Sequence, residues 1–280
     1  MVAISFDSVQ QADLFMDRCR KKKSNEQLLS HIEYNQEQAV ITLPFHRQRD
    51  ALYLLQDAFF CYIQDELVSQ WFHQIVKEAF FYREQEECDQ IVDIAMMLIM
   101  AENDANHAFW HSLQKSIEAG LDSVLEREVS FSFSSFLTFR KRRIMKSLLS
   151  YVETAIDEYK MEQEYLNFIH TLRSFMHSVT PKKKQLHVVH GEHFTFFDES
   201  FSEIVRAELV SYTDRRLFSD YPMYIDSHVL APLISIAPEQ LSIYSDAKDQ
   251  AILRTIQSIF EERVRICPLS AFAESRYPQK

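Results

Sequence analysis

Histidines, cysteines and carboxylates are the residues of this chain whose spacing could support chemistry. His107 and His111 are four apart and share one helix face, which is the geometry of a metal-ligand pair. No glutamate follows His107 as it would in a zinc-protease helix, and no third ligand can be placed, so the pair reads as a polar helix edge and no metal is assigned. His187, His190 and His193 cluster where the chain reads as a hairpin, with His190 and His193 facing each other across the turn. These imidazoles could make a transition-metal site or a pH sensor; the plainer account is a solvent-exposed pair, His190 and His193, near the turn, with His187 further down the strand. Cys19 stands near Arg18 and Arg20, whose charge would activate a thiol. It also shares an apolar helix face with Phe15 and Met16, which reads as a buried structural thiol. The carboxylate pairs Glu153–Asp157 and Glu158–Glu162 lack the ExxH companion of a di-iron helix and read as a wet surface. No catalytic residue and no cofactor follows from these patterns.

A sharper feature is the block FSFSSFLTFRKRRI (131–144), where phenylalanines run into five cations within seven residues: Arg140, Lys141, Arg142, Arg143 and Lys146. At about 100° per residue, Arg142, Arg143 and Lys146 lie opposite the apolar arc, Lys141 falls within it and Arg140 at its edge. Three exposed cations on one face could hold an acidic partner protein, a phosphate backbone or an anionic membrane surface. They could also be a solvated face balancing acidic neighbours. Arg140, following packed aromatics, is expected to pair with a carboxylate, with Glu162, Glu164 and Glu261 as candidates. FSFSSF could stack bases, but its alternation suits a short strand or an entry segment pinned into the core. Phe136, Phe139, Arg140 and Tyr165 are read as structural anchors, and Arg142, Arg143 and Lys146 as the interaction residues.

These residues have to be positioned by a recognisable series of elements. Residues 1–45 read as a small βαββ unit: a strand at 2–6, a helix capped by Asp7 or Ser8 and ending at the lysines 21–23, then a hairpin from 28–34 and 38–43 stopped by Pro44. Residues 46–180 read as a helical middle region. Val68, Trp71, Phe72, Ile75, Val76 and Ala79 keep the rhythm of one buried face, and Cys88, Ile91, Val92, Ala95 and Ile99 repeat it. A third helix with Phe109, Leu113 and Ile117 is expected to end at Gly120. The longest helix follows, with Ser134 or Ser135 as its cap, and with one apolar arc of Leu137, Ile144, Leu148, Val152, Ala155 and Tyr159. A second arc holds Tyr165, Phe168, Ile169, Leu172, Phe175 and Met176, with a bend possible at 160–163. Residues 181–280 read as a mixed α/β region. It begins with a hairpin turning on Gly191-Glu192 as a type II′ turn. Helices near 201–217 and 228–237 follow, then a β–α–β unit with parallel strands at 241–244 and 263–267 around a helix at 249–262. The fold class is α+β.

Composition narrows the functional classes. A net charge of −11 argues against a surface that grips nucleic acid everywhere, though not against a local basic patch. Two glycines in 280 residues leave no means of building a phosphate-cradling loop, so P-loop, dinucleotide-binding and GxSxG hydrolase readings fail. The longest apolar run, 94–100, is far below the ~20 residues of a membrane span, and MVAISFDSVQQADLF does not read as a secretory signal. Four scattered cysteines are the usage of a reduced compartment, and the chain is expected to be cytoplasmic.

Three segments resemble the YtxC sporulation-protein family of endospore-forming bacteria. They are FLTFRKRRI (136–144) running into EQEYLNFIHTLRSF (162–175), LHVVHGEHFTFFDE (186–199), and LAPLISIAPEQLSIYSD with ILRTIQSIFEERVRICP (230–246, 252–268). Lys141 stands where that family more often carries an apolar residue. The resemblance implies a place in sporulation and no particular reaction. The expected activity is binding to another macromolecule, with a protein partner first. Nucleic acid held by the basic face 140–146 is the alternative, and a metal-assisted enzyme is a second one.

Overall fold

The computed structural model describes residues 2–20, 32–43, 48–101, 104–212, 228–247 and 250–277. The lysines 21–23, the strand start at 28–31, Pro44, the helix end at 213–217 and Asp249 lie outside them. The fold is α+β, and close contacts divide the chain into two units, Met1–Lys160 and Met161–Lys280.

In the first unit β1 (Val2–Ser5), β2 (Glu33–Asn35), β3 (Val40–Leu43) and β4 (Phe131–Ser132) form a sheet ordered β2-β3-β1-β4. β1 pairs antiparallel with β3, which pairs antiparallel with β2. β4 joins β1 in parallel, Ile4 opposite Phe131, across about 127 residues of chain. Alternation puts Val2, Ile4, Ile41 and Leu43 on the buried face, as period-2 spacing requires. Against it packs α1 (Val9–Arg20), whose first turn is capped by Ser8 Oγ accepting from the Gln11 N–H at 3.2 Å.

α2 (Gln48–Tyr62) passes through a π-helical turn (Ile63–Leu67) into α3 (Val68–Glu78). Arg18 of α1 is tied to that turn, pairing with Asp65 at 3.1 Å and with Glu66. In α3 and α4 (Gln85–Met100) the expected stripes are buried, except that Ala79 sits exposed just past the end of α3. α5 (Asp104–Glu126) does not stop at Gly120. Leu121 and Leu125 continue the buried stripe of Leu113 and Ile117, and that burial outweighs the ~1 kcal/mol cost of a glycine inside a helix.

α6 (Phe133–Ser178) is one unbroken helix through 160–163. Its cap is Ser132, rather than Ser134 or Ser135: Ser132 Oγ accepts from the Ser135 N–H at 3.1 Å, and Ser134 instead donates to Asp7. The FSF alternation works because Phe133, leaving the strand, drops into a cage of rings. Phe59 (5.0 Å), Tyr62 (5.1 Å), Phe6 (5.2 Å) and Phe15 (5.7 Å) surround its centroid.

In the second unit β5 (Gln185–His190), β6 (Phe194–Phe197), β7 (Gln240–Tyr244) and β8 (Val264–Cys267) form a sheet ordered β6-β5-β7-β8. β5, β7 and β8 are mutually parallel, as expected for the β–α–β pattern, and β6 returns antiparallel. Leu186, Val188, Leu241 and Ile243 face a core built with the last turns of α6, α8 (Leu230–Ile236) and α9 (Ala251–Phe260). Between them comes the short α7 (Arg206–Tyr212). Arg173 of α6 fastens to α9, donating to the Ser258 carbonyl at 2.7 Å and pairing with Glu261 at 3.0 Å. On the other sheet face Phe272, from α10 (Ser270–Arg276), meets Phe197 (4.9 Å) and Tyr244 (5.1 Å).

The β5–β6 turn differs from expectation. His190 pairs with Phe194, not His193, so Gly191, Glu192 and His193 form a three-residue loop, and Gly191 has no positive φ. The reason is a cross-strand contact: the His190 and Phe194 rings stack at 4.2 Å and 9°, and that pair sets the register.

Phe133 tests the first unit directly. Phe133→Ala, which empties the ring cage, is expected to cost about 3–5 kcal/mol, read as a lower urea midpoint with an unchanged m-value.

Candidate anion-binding groove

α5 and α6 lie side by side in opposite directions: Phe109 meets Tyr151 at 6.0 Å, and further along Arg140 reaches the carbonyl of Ser116. Between them runs a groove enclosing about 1090 Å³, lined from α5 by residues spaced at helical intervals. Lys115, Ala119 and Ser123 form one row, continued by Arg127 just past the helix end, and Ser112, Ser116 and Gly120 form another. From α6 come Ser135, Phe139 and Arg143 as a rim row, with Phe136 and Arg140 behind. A second hollow of about 610 Å³ shares Ser112, Ser116, Phe139, Arg140 and Arg143 and extends the groove to Ser150 and Tyr151.

Four permanent cations and His111 thus line a space to which no aspartate or glutamate contributes among the described residues. Nearby acids are turned elsewhere: Glu118 accepts from Gln114 (2.9 Å) and Asp122 from Gln56 (3.2 Å). Among the described residues Lys115, Arg127, Arg140 and Arg143 have no carboxylate within ion-pair distance.

Arg140 is the centre of this geometry, and the expected carboxylate pair is not there. Its Nε donates to the Ser116 carbonyl (3.2 Å), one terminal nitrogen donates to the Phe136 carbonyl (2.7 Å), and the guanidinium lies 3.7 Å over the Phe136 ring. Glu261, a candidate partner, belongs to Arg173 instead. The other terminal nitrogen occupies the notch left by Gly120, where a Cβ would lie 1.7 Å away. Burial pulls the Arg140 pKa below its ordinary value, yet a guanidinium keeps its charge at neutral pH.

The other singled-out residues are distributed around this site. Arg143 lines the groove; Arg142 and Lys146 are exposed on α6 outside it. Phe136 is 4% exposed and anchored, whereas Phe139 is 87% exposed and is not held in the core. Lys141, half-buried, donates to Gln74 at 2.8 Å. Tyr165 meets the Thr255 hydroxyl at 3.2 Å in the second unit. His111 reaches the groove and His107 does not. Among the described residues no three His, Cys, Asp or Glu side chains gather as a metal site. Cys19 is fully buried and its pKa is pushed up to about 12 by that burial, the opposite of an activated thiol. Lys115 and Arg127 were missed because they are scattered in sequence. The available signal was the i, i+4 run of small residues on α5 that leads to Arg127 just past its end, facing a basic helix.

His187 lies within β5, away from the turn. It is 3% exposed, its Nδ1 is 3.1 Å from the Tyr244 hydroxyl, and its ring stacks on Phe201 at 4.2 Å. His190 Nδ1 lies 2.8 Å from Ser245 Oγ. Burial lowers the His187 pKa, with Asp198 opposing more weakly.

The class defined here is an α+β protein with a cationic groove between two helices, to which no carboxylate of the described residues contributes. Residues 53–265 match the YtxC-like family, and the chain belongs to that family. It is 41% identical over 208 residues to the uncharacterised protein YtxC of Bacillus subtilis (strain 168), covering 74% of this chain and 73% of that one. The groove lies wholly inside the matched region. No solved structure matches the chain.

Two outcomes follow from this geometry. Gly120→Ala should leave thermal stability near wild type, since the clash falls on a movable side-chain end. It should displace the Arg140 guanidinium from the groove floor and weaken polyanion binding by up to about tenfold, the scale of one charge moved near a protein surface, measured by salt elution from heparin and by titration. For His187, the unfolded chain takes up a proton near pH 6.5 before the folded chain does. Stability is therefore lost as pH falls below about 6.5, and urea unfolding at pH 7.5, 6.5 and 5.5 should show a smaller loss in His187→Phe.

Proposed function

We propose that this protein acts by binding an anionic macromolecule along the α5–α6 groove rather than by catalysing a reaction. The observation that carries the reading is the set of four cations from two helices, unpaired among the described residues, in a chain of net charge −11. An acidic protein could use a solvated cation face at random positions, but those cations would sit among carboxylates. Here they converge, with hydroxyls between them, on a concave surface that excludes negative charge. Serine hydroxyls and guanidinium groups are donors suited to phosphate or carboxylate oxygens.

The sequence placed a protein partner ahead of nucleic acid and set the contact at Arg142, Arg143 and Lys146. The groove supports a contact through Lys115, Arg127, Arg140 and Arg143, with Arg143 common to both sets. The resemblance to the sporulation family supports a role in that process. Four cysteines scattered along the sequence support a reducing, cytoplasmic setting, and no helix among the described residues is long and apolar enough to cross a membrane.

Arg127→Glu/Arg143→Glu should elute from immobilised heparin at markedly lower salt than wild type, while Arg142→Glu/Lys146→Glu, with the same charge change off the groove, should shift little. Equal shifts in the two double variants, or no retention of wild type at low salt, would overturn the reading.

A further inference from the structure

Phe139 is the most exposed large apolar side chain among the described residues, at 87%, and it stands on the rim of the groove. It belongs to the i, i+4 row Ser135–Phe139–Arg143, so its ring rises between a hydroxyl and a guanidinium on one face of α6. Neither neighbour explains it as packing: the core of this segment is supplied by Phe133 (0% exposed) and Phe136 (4%). An exposed phenyl ring in water is unfavourable, and here it lies among cations with open donors.

Resting on the polyanion-groove reading, we infer that the occupant is single-stranded nucleic acid, with its phosphates on Lys115, Arg127 and Arg143 and a base stacked on Phe139. The cations satisfy any polyanion, but the ring distinguishes among them. A polyglutamate segment offers nothing flat to a phenyl face. A duplex keeps its bases stacked inside a convex rod, out of reach of a ring in a groove between helices. A single strand brings both partners together, a charged backbone for the groove and an unstacked base for the ring, the pairing used by single-strand platforms. Lengths agree: Lys115 and Arg127, the latter just past the end of α5, are twelve residues apart, about 18 Å along the helix axis, and the groove from residue 108 to 127 runs about 28 Å. That accommodates a strand of about four nucleotides, the lower end of such site sizes. Arg140, held behind the rim against the Phe136 ring, adds positive potential to the floor without occupying the stacking position.

The test is fluorescence anisotropy of the full chain with a 5′-labelled twelve-nucleotide dT strand, a twelve-base-pair duplex and a labelled twelve-residue glutamate peptide. Heparin elution is run in parallel. The expected result is that wild type binds the dT strand more tightly than either competitor, with affinity falling steeply with salt. Phe139→Ala is expected to lose roughly five- to 150-fold for the strand, to keep its salt slope and heparin elution, and to be rescued by Phe139→Trp. An unchanged Phe139→Ala affinity, or tighter binding of the duplex or the glutamate peptide, overturns the inference. If heparin retains the protein but the dT strand does not bind, the single-strand inference falls and the polyanion groove stands. If neither binds, both fall.

Discussion

Arg140 carries its charge into the space between α5 and α6, where two carbonyl oxygens and a phenyl ring surround it and no carboxylate of the described residues does. Desolvating a guanidinium in this way is tolerable because carbonyl dipoles and the negative face of the ring supply part of what water gave up. The contact also requires a missing Cβ at Gly120, which accounts for one of only two glycines in the chain lying inside a helix where it is intrinsically unfavourable. The two helices are therefore bridged by a cation, and the space they enclose is positive from its floor upward.

That bridge explains why the surrounding residues divide as they do. The apolar stripe of α5, from Leu113 through Ile117 and Leu121 to Leu125, buries one side of the helix and leaves the adjoining side to Ser112, Ser116, Ser123, Lys115 and Arg127. α6 repeats the arrangement: Leu137, Ile144 and Leu148 go inward, and Ser135, Phe139 and Arg143 face the groove. Phe133 and its ring cage hold the start of α6 against the sheet, so the groove is built on a rigid base. An acidic chain thereby concentrates a local positive field by excluding carboxylates from one concavity, without altering its net charge.

The second unit uses the same economy of faces on a sheet. Leu186, Val188, Leu241 and Ile243 take one side, and their alternate neighbours bring His187 and Tyr244 together on the other. There the loop carrying Phe201 and the helix carrying Phe272 close over the sheet, so the His187 imidazole becomes a stacked, hydrogen-bonded part of a layer. Titration at His187 is consequently coupled to folding.

Periodicity determined most of the elements. The stripes of α3, α4 and both arcs of α6, the antiparallel β5–β6 pair and the parallel β7–β8 pair were all legible, because spacing of 3.6 or 2 reports directly which side chains share a face. Local chemistry also pointed to the basic, aromatic block as the unusual segment. What the sequence could not determine was which distant groups meet. β4 pairs with β1, Arg140 chooses carbonyls over the carboxylates proposed for it, and Lys115 and Arg127 join Arg143 while Arg142, one residue away, does not. Phe139 and Phe136 look alike in sequence, yet one is exposed and the other buried. Charge and ring positions along a helix are local facts. A binding surface is set by the angle and separation at which a second helix packs, and only the tertiary fold decides those.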